Sequence, residues 1–481
     1  MRYLVALLLL TSLMTGCTAS GPTPVKLTVL ASPELTDLAP VLDDLKHATG
    51  IELAMEFRGT VEAGDELARD ASPFDLAWLS TNRFLRLDTA AKPQSTSLML
   101  SPLVVGMKAA KAKQLRESVG GQPSWADLAD RAALGELKFA MADPRRSSSG
   151  MAALIGVATA AAGTGAALRA EDVGCDRIQG FLAGRAFDTA EFVQRQHEAD
   201  ALVTHESEVL SLNASGKLAE PLEVVYPRDG IMLSDYPLTL LKPAQRAVYQ
   251  RAVDWLRAEP AQRAIMDRTS RRPVDPTLSR PEQLRRPVGN PLYFPDRRQV
   301  LDTLLAAYDR AGKGRRVIFV LDYSTSMAGT RVAGLREAFA KLAGFDRFFV
   351  GEQVTIIRFA SQVLEERALT IGGRADLDAV NAVVASDGFA AGTAIWSALG
   401  RAFQLADGGT SIVLMTDGEN NTGLTAAELL GRAGPRAKTF AIRFGEANPG
   451  ELDQVARATG GRLVEAGAKS LLDAVKEIRG C

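Results

Sequence analysis

Val317-Ile318-Phe319-Val320-Leu321-Asp322-Tyr323-Ser324-Thr325-Ser326 is an apolar run that stops on a loop of oxygen-bearing side chains. A later run, Ile412-Val413-Leu414-Met415, stops the same way on Thr416-Asp417-Gly418-Glu419-Asn420. Short continuous apolar runs bounded by polar loops read as parallel strands buried on both faces. In an open α/β sheet the loops at the carboxyl ends of such strands meet in one crevice, so Asp322, Ser324, Ser326, Thr393 and Asp417 can converge there. An all-oxygen set of this kind suits a hard divalent cation, and few charged ligands leave a position open to an outside carboxylate. The plainer reading of the same residues is helix capping and turn formation.

Context narrows the choice. Gly392-Thr393 opens a helical stretch with Ala394-Ile395 and Ala398-Leu399, and Thr439-Phe440-Ala441-Ile442-Arg443-Phe444-Gly445 and Ala458-Thr459-Gly460-Gly461 follow late in the chain. From about Arg315 to the C-terminus these segments resemble a von Willebrand factor A (VWA) domain. The resemblance implies a doubly wound, Rossmann-like α/β fold with a metal-ion-dependent adhesion site. In such a site Ser324 and Ser326 would ligate Mg²⁺ (or Mn²⁺) directly. Thr393, Asp322 and Asp417 would do so directly or through water, and an acidic residue of a partner protein would take the open position.

The N-terminus sets the compartment. Arg2 precedes Leu4-Val5-Ala6-Leu7-Leu8-Leu9-Leu10, and Leu13-Met14-Thr15-Gly16-Cys17 leads into a Thr/Ser/Pro tract. A basic start and a short apolar core ending at a small residue read as an export signal rather than a spanning helix. The ending resembles a bacterial lipobox, which implies cleavage after residue 16 and lipidation of Cys17 with acyl chains such as palmitate. The mature protein would then be a membrane lipoprotein of the cell envelope, facing the periplasm or the exterior, with residues 17–24 as tether. Several acyl chains make such an anchor stable.

The body is that of an exported globular protein: 481 residues, formal net charge -1, 46% hydrophobic and 23% charged. That length supports two or three domains with proper cores. Near-neutral charge argues against nucleic acid as a partner. Met151 to Leu168 is uncharged apart from its flanks and is mostly Ala, Gly and Thr, so a buried helix is expected there rather than a membrane span. With Cys17 lipidated, Cys175 and Cys481 remain as an even pair in an oxidising compartment, where a disulfide and two free thiols are the alternatives.

Residues 25–275 form a second α/β unit. Leu27-Thr28-Val29-Leu30, Ile51 to Phe57 and Phe74 to Leu79 read as strands, with a helix from Leu38 to His47 between the first two. Small polar residues follow the strands: Ser32, then Thr60, then Ser80 and Asn82, with Ser148 and Ser149 opening the Ala-rich helix. Hydroxyls and free amides at strand ends and helix starts can hold a small polar or anionic solute. The order of Ala31-Ser32-Pro33-Glu34-Leu35, Trp125-Ala126-Asp127-Leu128, Ala142-Asp143-Pro144, Ala199 to Val203 with Glu206-Ser207, and Tyr226 to Gly230 resembles an extracellular solute-binding protein of the two-lobe periplasmic class. Asp235-Tyr236-Pro237, a closing helix from Ala244 to Leu256, and Arg271-Arg272-Pro273 complete the series. The ligand does not carry over from the resemblance, since these loops differ most between members.

Residues 276–313 are rich in proline and arginine and read as a semi-rigid spacer with one helix, Val300 to Tyr308, expected to pack on one domain before the VWA domain at 314–481. The chain lacks a Gly-x-Ser-x-Gly elbow, a phosphate loop and a His-Glu-x-x-His helix, and His197 and His205 read as surface residues. The expectation is a binding protein and not an enzyme: a lipid-anchored envelope protein whose VWA domain meets a protein partner through Mg²⁺. The receptor of an import transporter and a factor that assembles a metal or membrane complex are the alternatives.

Overall fold

The computed structural model describes residues 25–69, 72–88, 93–311, 316–344, 351–407, 409–432, 437–443 and 448–465. The expected export signal, the tether with Cys17, and Cys481 lie outside these residues.

The N-terminal domain contains two sheets. The first takes β1 (Val25–Ala31), β2 (Ile51–Phe57), β3 (Leu76–Trp78) and β4 (Ser95–Ser97); the second starts with β5 (Met99–Lys108) and adds β6 (Phe139–Met141), β7 (Arg185–Phe187), β8 (Ala201–His205), β9 (Leu222–Val225) and β10 (Leu233–Ser234). The chain then returns to the first sheet as β11 (Pro237–Leu240), giving the order β2-β1-β3-β11-β4, while the second sheet runs β10-β5-β8-β6-β7. β1 pairs in parallel with β2 and β3, so the loops after all three open at one edge. β12 (Arg272–Pro273) follows the last helix of the first lobe and pairs with β5 of the second. The chain therefore passes between lobes at Leu98, at Asp235-Tyr236 and at Arg271-Arg272.

Each crossing is fastened by buried polar contacts, the first by Gln262 Nε2 donating to the Leu98 carbonyl at 2.9 Å. Tyr236 adopts φ 40, a region that costs a non-glycine residue strain and persists only when its surroundings fix it. Here Trp78 Nε1 donates to the Tyr236 carbonyl at 3.0 Å, and the Tyr236 amide donates to the Ser80 carbonyl at 3.1 Å. Arg271, 1% exposed, donates to both oxygens of Asp37 and to the Glu34 carbonyl in the first lobe. Arg272 forms a two-pronged pair with Glu206 in the second, both contacts at 2.7 Å.

The Ala-rich segment folds as the helix Ser148–Ala162 and is buried at Met151, Leu154, Ile155 and Val157. Among the described residues no helix is long and apolar enough to cross a membrane.

The stretch expected as a spacer is folded onto the N-terminal domain. Asn290 and Leu292 bracket Ile231 in backbone hydrogen bonds of 2.8 and 2.9 Å. Phe294 meets Phe84 of the first lobe edge to face at 5.1 Å. The helix Arg298–Ala311 buries Val300, Leu301, Leu304 and Ala307 in the core of the second lobe, a spacing that puts all four on one face. Its ends hold both lobes, since Arg298 pairs with Asp65 of the first and Asp309 with Arg145 of the second. Proline and arginine content describes the exposed side of this stretch; the apolar face decides where it sits.

The C-terminal domain is one six-stranded sheet of β13 (Arg316–Asp322), β14 (Gln353–Phe359), β15 (Val363–Thr370), β16 (Thr410–Thr416), β17 (Lys438–Arg443) and β18 (Leu463–Glu465). Its order is β15-β14-β13-β16-β17-β18, parallel except for β15. Val317, Phe319 and Leu321 face one core with the helices Thr330–Gly344 and Arg374–Ala385. Ile318 and Val320 face the other with Ile395–Leu405 and Pro449–Ala458. A strand covered on both sides must be apolar throughout, as the two runs are. The chain winds outward from β13 through β14 and then restarts on β13's other side as β16, so a topological switch point lies between the carboxyl ends of β13 and β16.

Glu206→Ala leaves the Arg272 guanidinium buried without its counter-charge, a change that typically costs about 3–5 kcal/mol. Urea unfolding should report that loss, with Glu206→Gln losing less. A loss within the ~0–1 kcal/mol of exposed pairs would refute the role assigned to this contact.

Candidate functional site

At the switch point, Asp322 ends β13 with its carboxylate buried. Its Oδ1 accepts from the Ser324 amide at 2.8 Å and its Oδ2 from the Thr416 hydroxyl at 2.6 Å. The Ser324 and Ser326 hydroxyls lie 3.0 Å apart, and Ser326 donates to Asp417 Oδ1 at 2.9 Å. Thr393 enters from the loop before Ile395–Leu405, held by its amide on Asn421 Oδ1 at 2.8 Å and its carbonyl on the Asn421 amide at 3.0 Å. Gly418 lies between the hydroxyls: a Cβ there would be 3.5 Å from Thr393 Oγ1 and 3.9 Å from Ser326 Oγ. All five residues expected as ligands thus border one crevice.

Burial pushes the Asp322 carboxyl above its ordinary range, against the opposing pull of Thr416 and Ser324, and the neighbouring Asp417 pushes it further. A cation in this crevice would reverse that cost. Among the described residues no group of three or more His, Cys, Asp or Glu side chains is placed to hold a metal ion. The crevice has only two such residues, and its remaining donors are hydroxyls, the chemistry suited to Mg²⁺ rather than a softer metal. The donor set therefore fits a hard divalent ion. Thr416, Asn421 and Arg331, which donates to Asp417 Oδ2, complete the site and were not singled out from sequence. Thr416 could have been, as the residue beside Asp417; Asn421 and Arg331 gave no signal.

In the N-terminal domain, four of the six expected ligand-binding residues form a single chain of hydroxyls. Ser32 Oγ lies 2.5 Å from Thr60 Oγ1, Thr60 Oγ1 lies 2.9 Å from Ser80 Oγ, and Ser80 Oγ lies 2.6 Å from Ser148 Oγ. The last contact crosses from one lobe to the other. Beside it Gly59 abuts the second lobe so closely that a Cβ would come within 2.4 Å of the Arg146 carbonyl. The lobes are closed on each other, and the hydroxyls satisfy one another. Ser149 bonds instead to Ser147 at 2.8 Å. Asn82 lies apart from the chain, donating to Ser95 at 2.9 Å on the wall of a pocket of about 230 Å³ that Arg86, Ser97 and Asp235 also line.

A group of ionisable residues gathers around the Arg271 crossing. His205, expected at the surface, is buried and pairs its Nε2 with Ser234 Oγ at 2.8 Å; the residues that cover it are remote in sequence. Burial, with Arg271 nearby, lowers its pKa to about 3, so it is neutral. His197 is exposed, as expected. Burial, reinforced by Glu208, raises Glu34 from 4.5 to about 7. Cys175 is buried and disulfide-bonded; Cys481, the partner expected for it, lies outside the described residues.

The family described as bacterial extracellular solute-binding protein matches residues 27–268, and the von Willebrand factor type A domain matches residues 317–475. The first match spans half of the chain, which belongs to that solute-binding family and carries a VWA domain after it. Its family description places it in the periplasm or outside the cell. No curated protein matches the chain. Among solved structures, a ferric binding protein from Campylobacter jejuni is 12% identical, covers 60% of this chain and 99% of its own, and has a TM-score of 0.46. Iron-bound HitA from Pseudomonas aeruginosa is 18% identical over 60% and 100% with a TM-score of 0.45. The sulfate-binding protein SubI from Mycobacterium tuberculosis is 18% identical over 52% and 88% with a TM-score of 0.39. At those scores the likeness carries no argument about a ligand.

The Glu34 carboxyl gives a pH test. Its folded-state pKa is raised, so the folded protein holds the proton more tightly than the unfolded chain. The stability it contributes is complete below pH 4.5 and disappears as pH rises through about 7. Thermal unfolding across that window should therefore fall more steeply in the natural protein than in Glu34→Gln; parallel curves would contradict the assignment.

Proposed function

We propose that this chain is a lipid-anchored adaptor of the cell envelope. Its VWA domain binds an acidic residue of a partner protein through Mg²⁺ or Mn²⁺ held by Asp322, Ser324, Ser326, Thr393 and Asp417. The observation that carries the reading is the contiguous run of Ser324, Ser326 and Asp417 oxygens at 3.0 and 2.9 Å beside the locked carboxylate of Asp322. When bound, the cation would supply one open coordination position for an outside carboxylate. The protein's own part is to fix the oxygens: Thr416 and the Ser324 amide hold Asp322, and Asn421 holds the Thr393 loop. Binding rather than catalysis is the activity proposed. Cys17 is the proposed lipid attachment.

Calorimetry of the whole chain should give one Mg²⁺ or Mn²⁺ per molecule, with binding lost in Asp322→Ala and in Asp417→Ala. Binding to the folded state should also stabilise it, by about 2.7 kcal/mol at a hundredfold excess over Kd. Binding that survives both substitutions, or no binding at all, rejects the site.

For the N-terminal domain we propose a cleft for a small polar or anionic solute that enters by parting Ser80 from Ser148. Hydroxyls so arranged make strong hydrogen bonds to charge once water is excluded. The helix Arg298–Ala311, bound to both lobes, favours a scaffold that opens rarely over the receptor of an import transporter, which must open and reclose with each solute. A thermal-shift panel of sulfate, phosphate, amino acids, sugars and polyamines should raise the midpoint for one class. A flat panel would mean that the domain acts through its surface.

A further inference from the structure

The VWA crevice already contains a cation. Arg331 stands in the first turn of the helix Thr330–Gly344, and its guanidinium donates to Asp417 Oδ2 while reaching the Ser326 carbonyl at 3.4 Å. The Asp417 side chain has no exposed surface, whereas Arg331 keeps 39% of its own. A carboxylate so enclosed needs a counter-charge, and the near end of a helix is the wrong end for a cation by its dipole alone. The position of Arg331 is therefore explained by Asp417 rather than by its helix.

Both Asp417 oxygens are taken, Oδ1 by Ser326 and Oδ2 by Arg331. We infer that Arg331 is the resident counter-cation of the metal crevice, which a divalent ion must displace from Asp417 Oδ2 in order to bind. This rests on the metal reading above and adds a determinant of its affinity. A site that its own arginine fills most of the time shows a metal affinity reduced by the fraction of time it stands open.

The test uses the full chain with Mn²⁺ and Mg²⁺ as probes. Arg331→Gln should bind roughly tenfold more tightly than the natural protein, and Arg331→Lys, which keeps the charge without the fork, should fall between. In chelator, Arg331→Gln should lower the unfolding midpoint, and that drop should vanish in an Asp417→Asn background; saturating metal should shrink it. Metal binding that is equal or weaker in Arg331→Gln overturns the inference and leaves the metal site standing. Binding by Arg331→Gln alone overturns displacement by metal and shows that the arginine closes the natural site. Binding by neither chain overturns both, and the Asp417→Asn comparison then defines the arginine as a permanent ion pair.

Discussion

The N-terminal domain depends on the burial of two adjacent arginines. Arg271 is committed to Asp37 and the Glu34 carbonyl in one lobe, Arg272 to Glu206 in the other, and Arg272 also donates to the Arg286 carbonyl of the following segment at 2.9 Å. Two neighbouring residues with opposite allegiances leave the chain little freedom at this crossing. Taking such charges out of water is expensive, and it is tolerated only where each meets a carboxylate with good geometry. Their satisfaction brings β12 onto β5, aligns the lobes and sets the angle at which residues after 273 leave. The raised pKa of Glu34 and the lowered one of His205 follow from the same crowding.

Both domains place their polar chemistry at the carboxyl ends of parallel strands, but with different outcomes. In the VWA domain the loops after β13 and β16 flank a switch point, so their oxygens surround a crevice. In the N-terminal domain the loops after β1, β2 and β3 face a second lobe, and Ser32, Thr60 and Ser80 turn to one another and to Ser148. The same residue types border a crevice at a switch point in one case and form a polar seal in the other.

Much of this was legible in the sequence because parallel strands covered on both faces are written as unbroken apolar runs. Val317 to Leu321 and Ile412 to Met415 fall within β13 and β16, and Ile51 to Phe57 coincides with β2. The two family resemblances stated from short phrases match the regions found at 27–268 and 317–475. What escaped depends on partners distant in the chain. The burial of His205 needs Ser234 and Tyr236, the choice of the second lobe as the place where Val300, Leu301, Leu304 and Ala307 pack needs the helix Cys175–Ala183, and the divergence of Asn82 from Ser80 needs Ser95. Arg331 carries no local mark that separates it from any other arginine on a helix. The helix Glu259–Thr269 after the closing helix went unread, although Pro260 in its first turn is a signal of a helix start.

The helix Arg298–Ala311 also fixes a length. It ends four residues before β13 begins, and so short a connection spans at most roughly 18 Å. While the helix is docked, the first strand of the VWA domain is leashed within that radius of the solute-binding lobes, and any partner seated on one domain is presented to the other at high local concentration. If the helix leaves its groove and unravels, its 14 residues pay out up to roughly 50 Å more chain. One docking contact thus sets how far apart the two domains can work.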